Sequence, residues 1–365
     1  MSQQTQQISV LLGTKAEMIK LVPVLNELER REIHYRLIET GQHGAYLSKL
    51  HKEFGIRDPD VSLGKGQDVD TIYEAFKWFS GLASYFFKSK KLSRQIFGSD
   101  KGICLIHGDT PSTLVGALMA KRAGIKIAHL ESGLRSGSFW HPFPEELIRV
   151  VVMKLADVLF APDKHSFENL ISLKVKGQIE QTLANTGVEA LQNNLQEVSQ
   201  GHGPVIATLH RVENLHNKKR LLGFLETLEI IAKKGQEVLF VIHQPTAEVI
   251  LRHGGRERFE SAGIMTTDLI PYKQFVEKLA RAPFVLTDGG SIQEETTQLG
   301  VPCLLWRDRT EREDGIGENV LLSHYELEII KAFLDNTESY RRAPKVSDFR
   351  PSVHVVDTLE KFVSS

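Results

Sequence analysis

Short continuous apolar runs alternate with amphipathic stretches along almost the whole chain, and this alternation restricts the possible folds more than any other feature. The runs at 8–12, 35–39, 103–107, 126–130 and 158–161 do not alternate polar with apolar residues. They read as strands covered by helices on both faces, and so as parallel strands. Runs of the same kind resume at 204–208, 237–242, 263–267, 284–287 and 302–305. Helical patterns lie between them at 18–31, 110–123, 145–155, 218–234 and 272–281. Strand–helix alternation calls for parallel sheets joined by right-handed crossovers. A polar stretch at 192–203, rich in Asn, Gln and Gly, interrupts the pattern, and 365 residues are more than one ordinary domain holds. The expectation is two doubly wound parallel-sheet α/β domains, 1–187 and 188–351. Ligands of such sheets bind beyond the carboxyl ends of the strands, so two facing domains would enclose a ligand in a cleft.

Composition removes several function classes. The formal net charge of -1 speaks against nucleic-acid binding by bulk electrostatics, though a local basic pocket stays open. Residues 1–7 are polar and show no signal-peptide pattern, and no apolar stretch approaches the roughly 18 residues that span a bilayer. A cytoplasmic location is expected. Cys104 and Cys303 sit in apolar runs and read as small buried hydrophobes. The 14 histidines show no metal-ligand spacing, so neither metal nor cofactor is expected. A stripe of Ile72, Phe76, Phe79, Leu82, Ala83 and Phe86 within 70–97 reads as helix core or subunit interface.

The chemistry-bearing residues follow the strand candidates. The first run ends in Gly13-Thr14-Lys15-Ala16-Glu17-Met18-Ile19-Lys20. A glycine turn that opens a helix gathers free N–H groups at the positive helix end, which suits an anion. Neither the GxGxxG nor the P-loop spacing is present. Lys15 and Lys20 would suit a diphosphate, against the plain alternative of a solvated lysine at a helix start. His107-Gly108-Asp109-Thr110 and His129-Leu130-Glu131 each put a carboxylate just past a buried strand, where a charge must be paired or solvated. Pro144-Glu145-Glu146 opens a helix, and for one of these glutamates stabilisation by the helix dipole is explanation enough. Asp109, Glu131 and Glu145, converging from adjacent strand ends, suit acid–base work.

The second half repeats the logic. Its strand ends carry His210-Arg211-Val212-Glu213-Asn214 and His243-Gln244-Pro245. Thr287-Asp288-Gly289-Gly290-Ser291 runs as a glycine-rich loop into a helix, a phosphate cradle with Glu295 placed to meet ribose hydroxyls. Ser291 has two readings, capping that helix or turning toward the diphosphate. Arg307 and Arg312 suit charge-assisted phosphate contacts, against ion pairs with Asp308 or Glu311.

Taken together, GTKAEMIK, TGQH, HGDT, HLESGLRS, PFPEE with Arg149, TLHRVEN, TDGGSIQEE and RDRTER resemble, in order and separation, the UDP-N-acetylglucosamine 2-epimerase family. The resemblance implies the glycosyltransferase-B architecture, two Rossmann-like domains with UDP held mainly by the second, and a C-terminal helix near 352–365 returning to the first. It implies elimination of UDP across C1–C2 to a glycal, and re-addition with C2 inverted. Asp109, Glu131, Glu145 and His210 fall on the family's catalytic positions. Lys20, Glu295 and Arg312 fall on positions associated with nucleotide or phosphate, and Lys15, His243, Gly289, Gly290 and Ser291 complete the expected UDP site. The expected partners are a UDP-sugar and a second copy of the chain, with no nucleic acid and no membrane insertion.

Departures cluster at the phosphate contacts. The family usually has Arg-Pro at Lys15-Ala16, TDSGG at 287–291, a second basic residue at Val212 and a GNTVID stretch where this chain has Thr186-Gly187-Val188-Glu189. A non-hydrolysing 2-epimerase serving surface polysaccharide synthesis is the leading expectation. A hydrolysing relative, a glycosyltransferase of the same fold and a UDP-sugar-binding regulator are the alternatives, because one architecture hosts several chemistries.

Overall fold

The computed structural model describes residues 7–42, 44–64, 78, 81, 95–99, 101–137, 144–195, 203–253, 256–345 and 349–364. The aromatic stripe from Ile72 to Phe86 lies outside the described residues, as do Pro142 and Phe143. The chain divides into two compact units, Met1–Ala190 with Phe349–Ser365, and Leu191–Asp348. The crossing lies within the helix Thr186–Asn194, a little beyond the 187/188 division expected from the polar stretch.

Unit 1 is built on seven strands, β1 Gln7–Leu12, β2 Tyr35–Glu39, β3 Val61–Ser62, β4 Gly102–His107, β5 Lys126–Leu130, β6 Val158–Ala161 and β7 Gln178–Gln181. All pair in parallel, in the order 3-2-1-4-5-6-7. Every residue of β4 is buried, as a strand sandwiched between helix layers requires. The described helices are α1 Lys15–Arg30, α2 Gly44–Phe54, α3 Pro111–Ala123, α4 Glu145–Leu155, α5 Lys164–Ser172 and α6 Thr186–Asn194. Strand order reverses between β1 and β4, the switch point at which doubly wound sheets bind ligands.

The C-terminal helix Pro351–Ser364 belongs to unit 1. Its Val355, Val356 and Leu359 share a core with Leu21, Leu25 and Leu28 of α1, each buried leucine contributing about 2 kcal/mol. Polar contacts fix its start and its flank. Buried Glu189 accepts from Ser352 N at 3.0 Å and Ser352 Oγ at 2.7 Å, and Arg31 bridges Asp357 at 2.6 Å and Glu360 at 2.7 Å.

Unit 2 repeats the plan with six parallel strands, β8 Val205–Leu209, β9 Val238–Ile242, β10 Ile264–Thr267, β11 Val285–Thr287, β12 Cys303–Leu305 and β13 Val320–Leu322, ordered 10-9-8-11-12-13. Its described helices are α7 Val212–Leu215, α8 Lys218–Lys233, α9 Gln244–Leu251, α10 Glu257–Ser261, α11 Tyr272–Arg281, α12 Gly290–Leu299 and α13 Leu327–Asp335, so the C-terminal helix is α14. Buried aromatics fill one face. Phe224 meets Trp306 edge-on at 5.6 Å and Phe240 meets Phe259 likewise at 5.6 Å, geometries that the ring quadrupoles favour. The second switch point lies between β8 and β11.

The strands not anticipated are β3, β7 and β13, and all three are sheet edges. Edge strands are covered less completely than central ones, so they need no continuous apolar run. Gln178–Gln181 has no fully buried residue.

Candidate active site

Gly13 joins β1 to α1 at the first switch point. A Cβ there would lie 2.0 Å from Ser112 Oγ and 2.1 Å from Thr40 Oγ1, so only glycine fits the close approach of α3. Thr14 caps α1 by accepting from Glu17 N at 3.3 Å, and Glu17 returns the favour to Gly13 N at 2.6 Å and Thr14 N at 3.2 Å. The Gly13 and Thr14 N–H groups are therefore engaged by the protein's own carboxylate. Lys15 opens the helix, half-buried, and Lys20 lies one turn deeper.

Burial pushes the Glu17 carboxyl up to about 7, against the lowering effect of donors from Thr110, Gly13, Thr14 and Thr113. A folded-state value above the ordinary one means that the native state binds the extra proton. The corresponding stability is present at low pH and is lost as pH rises through 7, a change of about 3 kcal/mol. Glu17→Gln is neutral at every pH and keeps a carbonyl for Gly13 N. It is expected to flatten the decline of the urea midpoint between pH 5 and pH 8 relative to wild type; parallel declines in the two proteins would refute the shift.

Glu131 is the first residue past β5 and carries a left-handed φ of 59°, costly for a residue with a Cβ and held by its surroundings. Its side chain is buried. Oε1 accepts from Lys20 Nζ at 2.5 Å and from Asn185 Nδ2, while Oε2 lies 3.8 Å from His107 Nε2. His129, wholly buried below it, donates from Nε2 to the Gly108 carbonyl at 2.7 Å. Its Nδ1 then accepts from Ser132 Oγ at 2.6 Å, and burial lowers its pKa to about 4, so the ring is neutral. This ladder ties the end of β5 to the turn after β4.

Asp109, two residues past β4, receives Arg149 of α4. Arg149 also donates from Nη1 to Glu146 at 2.8 Å, and Glu146 accepts from Arg135 Nε at 2.5 Å. Glu145, the first residue of α4, sits one helical turn before Arg149. Asp109 and Glu131 thus stand past neighbouring strand ends, with Glu145 on the helix that supplies the partner of Asp109.

In unit 2, wholly buried Asp288 follows β11 and organises the second switch point. It accepts from His210 N at 3.1 Å, Arg211 N at 2.9 Å and Asn214 Nδ2 at 3.0 Å, and His210 Nδ1 lies 3.2 Å from it. The His210 ring stacks on His243 with centroids 4.7 Å apart. A Cβ at Gly289 would come within 3.0 Å of His210 Cε1, and one at Gly290 within 3.3 Å of Arg312 Nε. Gly289 occupies the N-cap of α12 with no side-chain cap, and Ser291 is the second helical residue. The capping reading of Ser291 is therefore corrected, because the helix begins two residues earlier than a capping Ser291 requires.

The arginines separate. Arg307 donates to Glu311 at 2.7 Å, as does Arg211 at 3.2 Å, so Arg307 forms the ion pair weighed from sequence. Arg312 instead faces Glu294 at 3.3 Å. Glu295 accepts from the Tyr272 hydroxyl at 3.0 Å. Sequence reasoning missed Asn185, which follows the unrecognised strand β7, and the pairings of Glu146 and Asp288. For Asp288 a signal existed, an acid ending the apolar run 284–287.

Two doubly wound parallel-sheet units, each with polar residues gathered at its switch point, are of the glycosyltransferase-B-like class, as are the solved structures this chain resembles. The model of the UDP-N-acetylglucosamine 2-epimerase family matches residues 26–351. The UDP-N-acetylglucosamine 2-epimerase of Methanocaldococcus jannaschii is 30% identical over 346 residues, 89% of this chain and 90% of that protein. UDP-2,3-diacetamido-2,3-dideoxy-D-glucuronate 2-epimerase of Pseudomonas aeruginosa is 30% identical over 329 residues, 86% and 88% of the two chains. The crystal structure of the M. jannaschii enzyme in complex with UDP-GlcNAc and UDP superposes with a TM-score of 0.82 at 28% identity, covering 98% of this chain and 100% of that one. The Neisseria meningitidis enzyme bound to UDP-GlcNAc gives 0.82 at 26% identity, again covering 98% and 100%. This chain belongs to the UDP-N-acetylglucosamine 2-epimerase family, a family of isomerases.

Proposed function

We propose that the chain is a non-hydrolysing epimerase that interconverts UDP-GlcNAc and UDP-ManNAc. One carboxylate of the set Asp109, Glu131 and Glu145 removes the C2 proton while the C1–O bond breaks and UDP leaves with the bonding electrons. A 2-acetamidoglucal remains. UDP then adds back at C1 as a proton is delivered to the other face of C2. His210 completes the acid–base set. Lys15, Lys20, His243, Gly289, Gly290, Ser291, Glu295 and Arg312 form the proposed substrate site, with the cationic members offsetting charge on the leaving diphosphate. No cofactor is required for this sequence of steps. We place the enzyme in the cytoplasm, as a homodimer, supplying precursors for surface polysaccharide. No described helix is long and apolar enough to cross a membrane.

The observation that carries the reading is the placement of Asp109 and Glu131 past adjacent strand ends, each held by a basic side chain, in a chain of this family. Incubation with UDP-GlcNAc in D2O, followed by NMR, tests it. Deuterium is expected at C2 of both epimers with no accumulating free sugar. Free N-acetylmannosamine with UDP would establish a hydrolase, and turnover only after an acceptor is added would establish a transferase. The likeness to the P. aeruginosa enzyme favours one further substrate, the 2,3-diacetamido glucuronate, and the same assay ranks the two sugars.

A further inference from the structure

Glu146 adjoins the proposed acid–base set without belonging to it. Its side chain is completely buried in α4, and a buried carboxylate must be paired several times over to be tolerated. It is. Oε1 accepts from Arg135 Nε at 2.5 Å, while Oε2 accepts from Arg149 Nη1 at 2.8 Å and from Ser136 N at 3.2 Å. Two of these donors, Arg135 and Ser136, lie on the segment that follows Glu131. The third, Arg149, lies on the helix that begins with Glu145, and its other terminal nitrogen meets Asp109. One carboxylate therefore ties together the three segments that carry Asp109, Glu131 and Glu145.

A guanidinium is planar and rigid, so pinning one edge fixes the direction of the other. With Glu146 on Nη1, the Nη2 edge of Arg149 is aimed at Asp109. The cluster also balances, with Asp109 and Glu146 set against Arg135 and Arg149. Removing the Glu146 charge leaves buried Arg149 and half-buried Arg135 in excess and lets Arg149 turn wholly toward Asp109. We propose that Glu146 is a positioning residue, which acts through Arg149 to set the orientation of Asp109 and through Arg135 and Ser136 to hold the Glu131 segment against α4. The proposal rests on the reading of Asp109 as a member of the acid–base set.

A kinetic cycle of Glu146→Gln and Arg149→Lys, read by turnover and by C2 deuterium uptake, tests it. Glu146→Gln is expected to lower kcat and C2 exchange together by about 30-fold, with KM within about threefold of wild type, because an oriented group acts in the transition state. In the Arg149→Lys background, the same change is expected to cost less than about threefold, since the route through the guanidinium is already broken. Fully multiplicative losses would overturn the proposal, as would Glu146→Gln retaining most of its turnover. Should Glu146→Gln not fold, Arg135→Gln, which leaves Glu146 in place with one anchor removed, is expected to lower kcat about tenfold; an unchanged kcat there overturns it equally. Wild-type enzyme without C2 exchange would instead overturn the epimerase reading, so the two failures are distinct.

Discussion

Glu131→Gln is expected to lower turnover by on the order of 10²-fold or more while leaving UDP affinity near wild type. The substitution is isosteric, so the left-handed turn at φ 59° and the Asn185 contact keep an acceptor oxygen. What disappears is the charge and the capacity to take up a proton. Lys20, 2.5 Å from Glu131 Oε1, keeps an amide oxygen as its acceptor and so its place in the proposed UDP site, and UDP affinity is expected to stay near wild type. Asp109→Asn and Glu145→Gln are expected to match this loss within an order of magnitude. Steady-state kinetics and calorimetric titration with UDP separate the outcomes. A variant that keeps most of its turnover leaves the acid–base set, whereas a parallel collapse of UDP affinity would show that the substitution has disrupted the site.

The central strands were legible because burial on both faces favours a largely apolar run, as in Val158–Ala161, bounded by turns. Edges escape that constraint. Val61–Ser62 and Gln178–Gln181 lack such a run and Val320–Leu322 is apolar but only 3 residues long, and missing β7 concealed the route by which Asn185 reaches Glu131. The carboxylates were legible for a related reason, since an acid just past a buried strand has no local explanation. Glu146 had one. As one of two glutamates at a helix start it was accounted for by the helix dipole, and nothing nearby in sequence reveals its pairing with Arg135, eleven residues back. Pairings of this sort exist only after tertiary packing. Ser291 shows the same limit on a smaller scale, because a shift of two residues in the helix start decides whether this serine caps.

Asp288→Ala is expected to destabilise unit 2 by about 3 to 5 kcal/mol, the cost of removing one partner from a buried charged network. The carboxylate is wholly buried and accepts from two backbone N–H groups, those of His210 and Arg211, and from the Asn214 amide. Alanine leaves these donors unsatisfied at about 1 to 3 kcal/mol each, with partial relief where the loop can reach water. For a unit of this size the loss corresponds to a fall of roughly 10 °C in melting temperature. Asp288→Asn keeps one acceptor oxygen but turns an amino group toward donors, so it is expected to lose about half as much. Both variants should also bind UDP more weakly, because Gly289 lies directly after Asp288 and packs against the His210 ring that Asp288 holds. Thermal unfolding and UDP titration decide the matter. A melting temperature within about 2 °C of wild type for Asp288→Ala would mean that the loops after β8 and β11 are held by something else, and the organising role of Asp288 would fall with it.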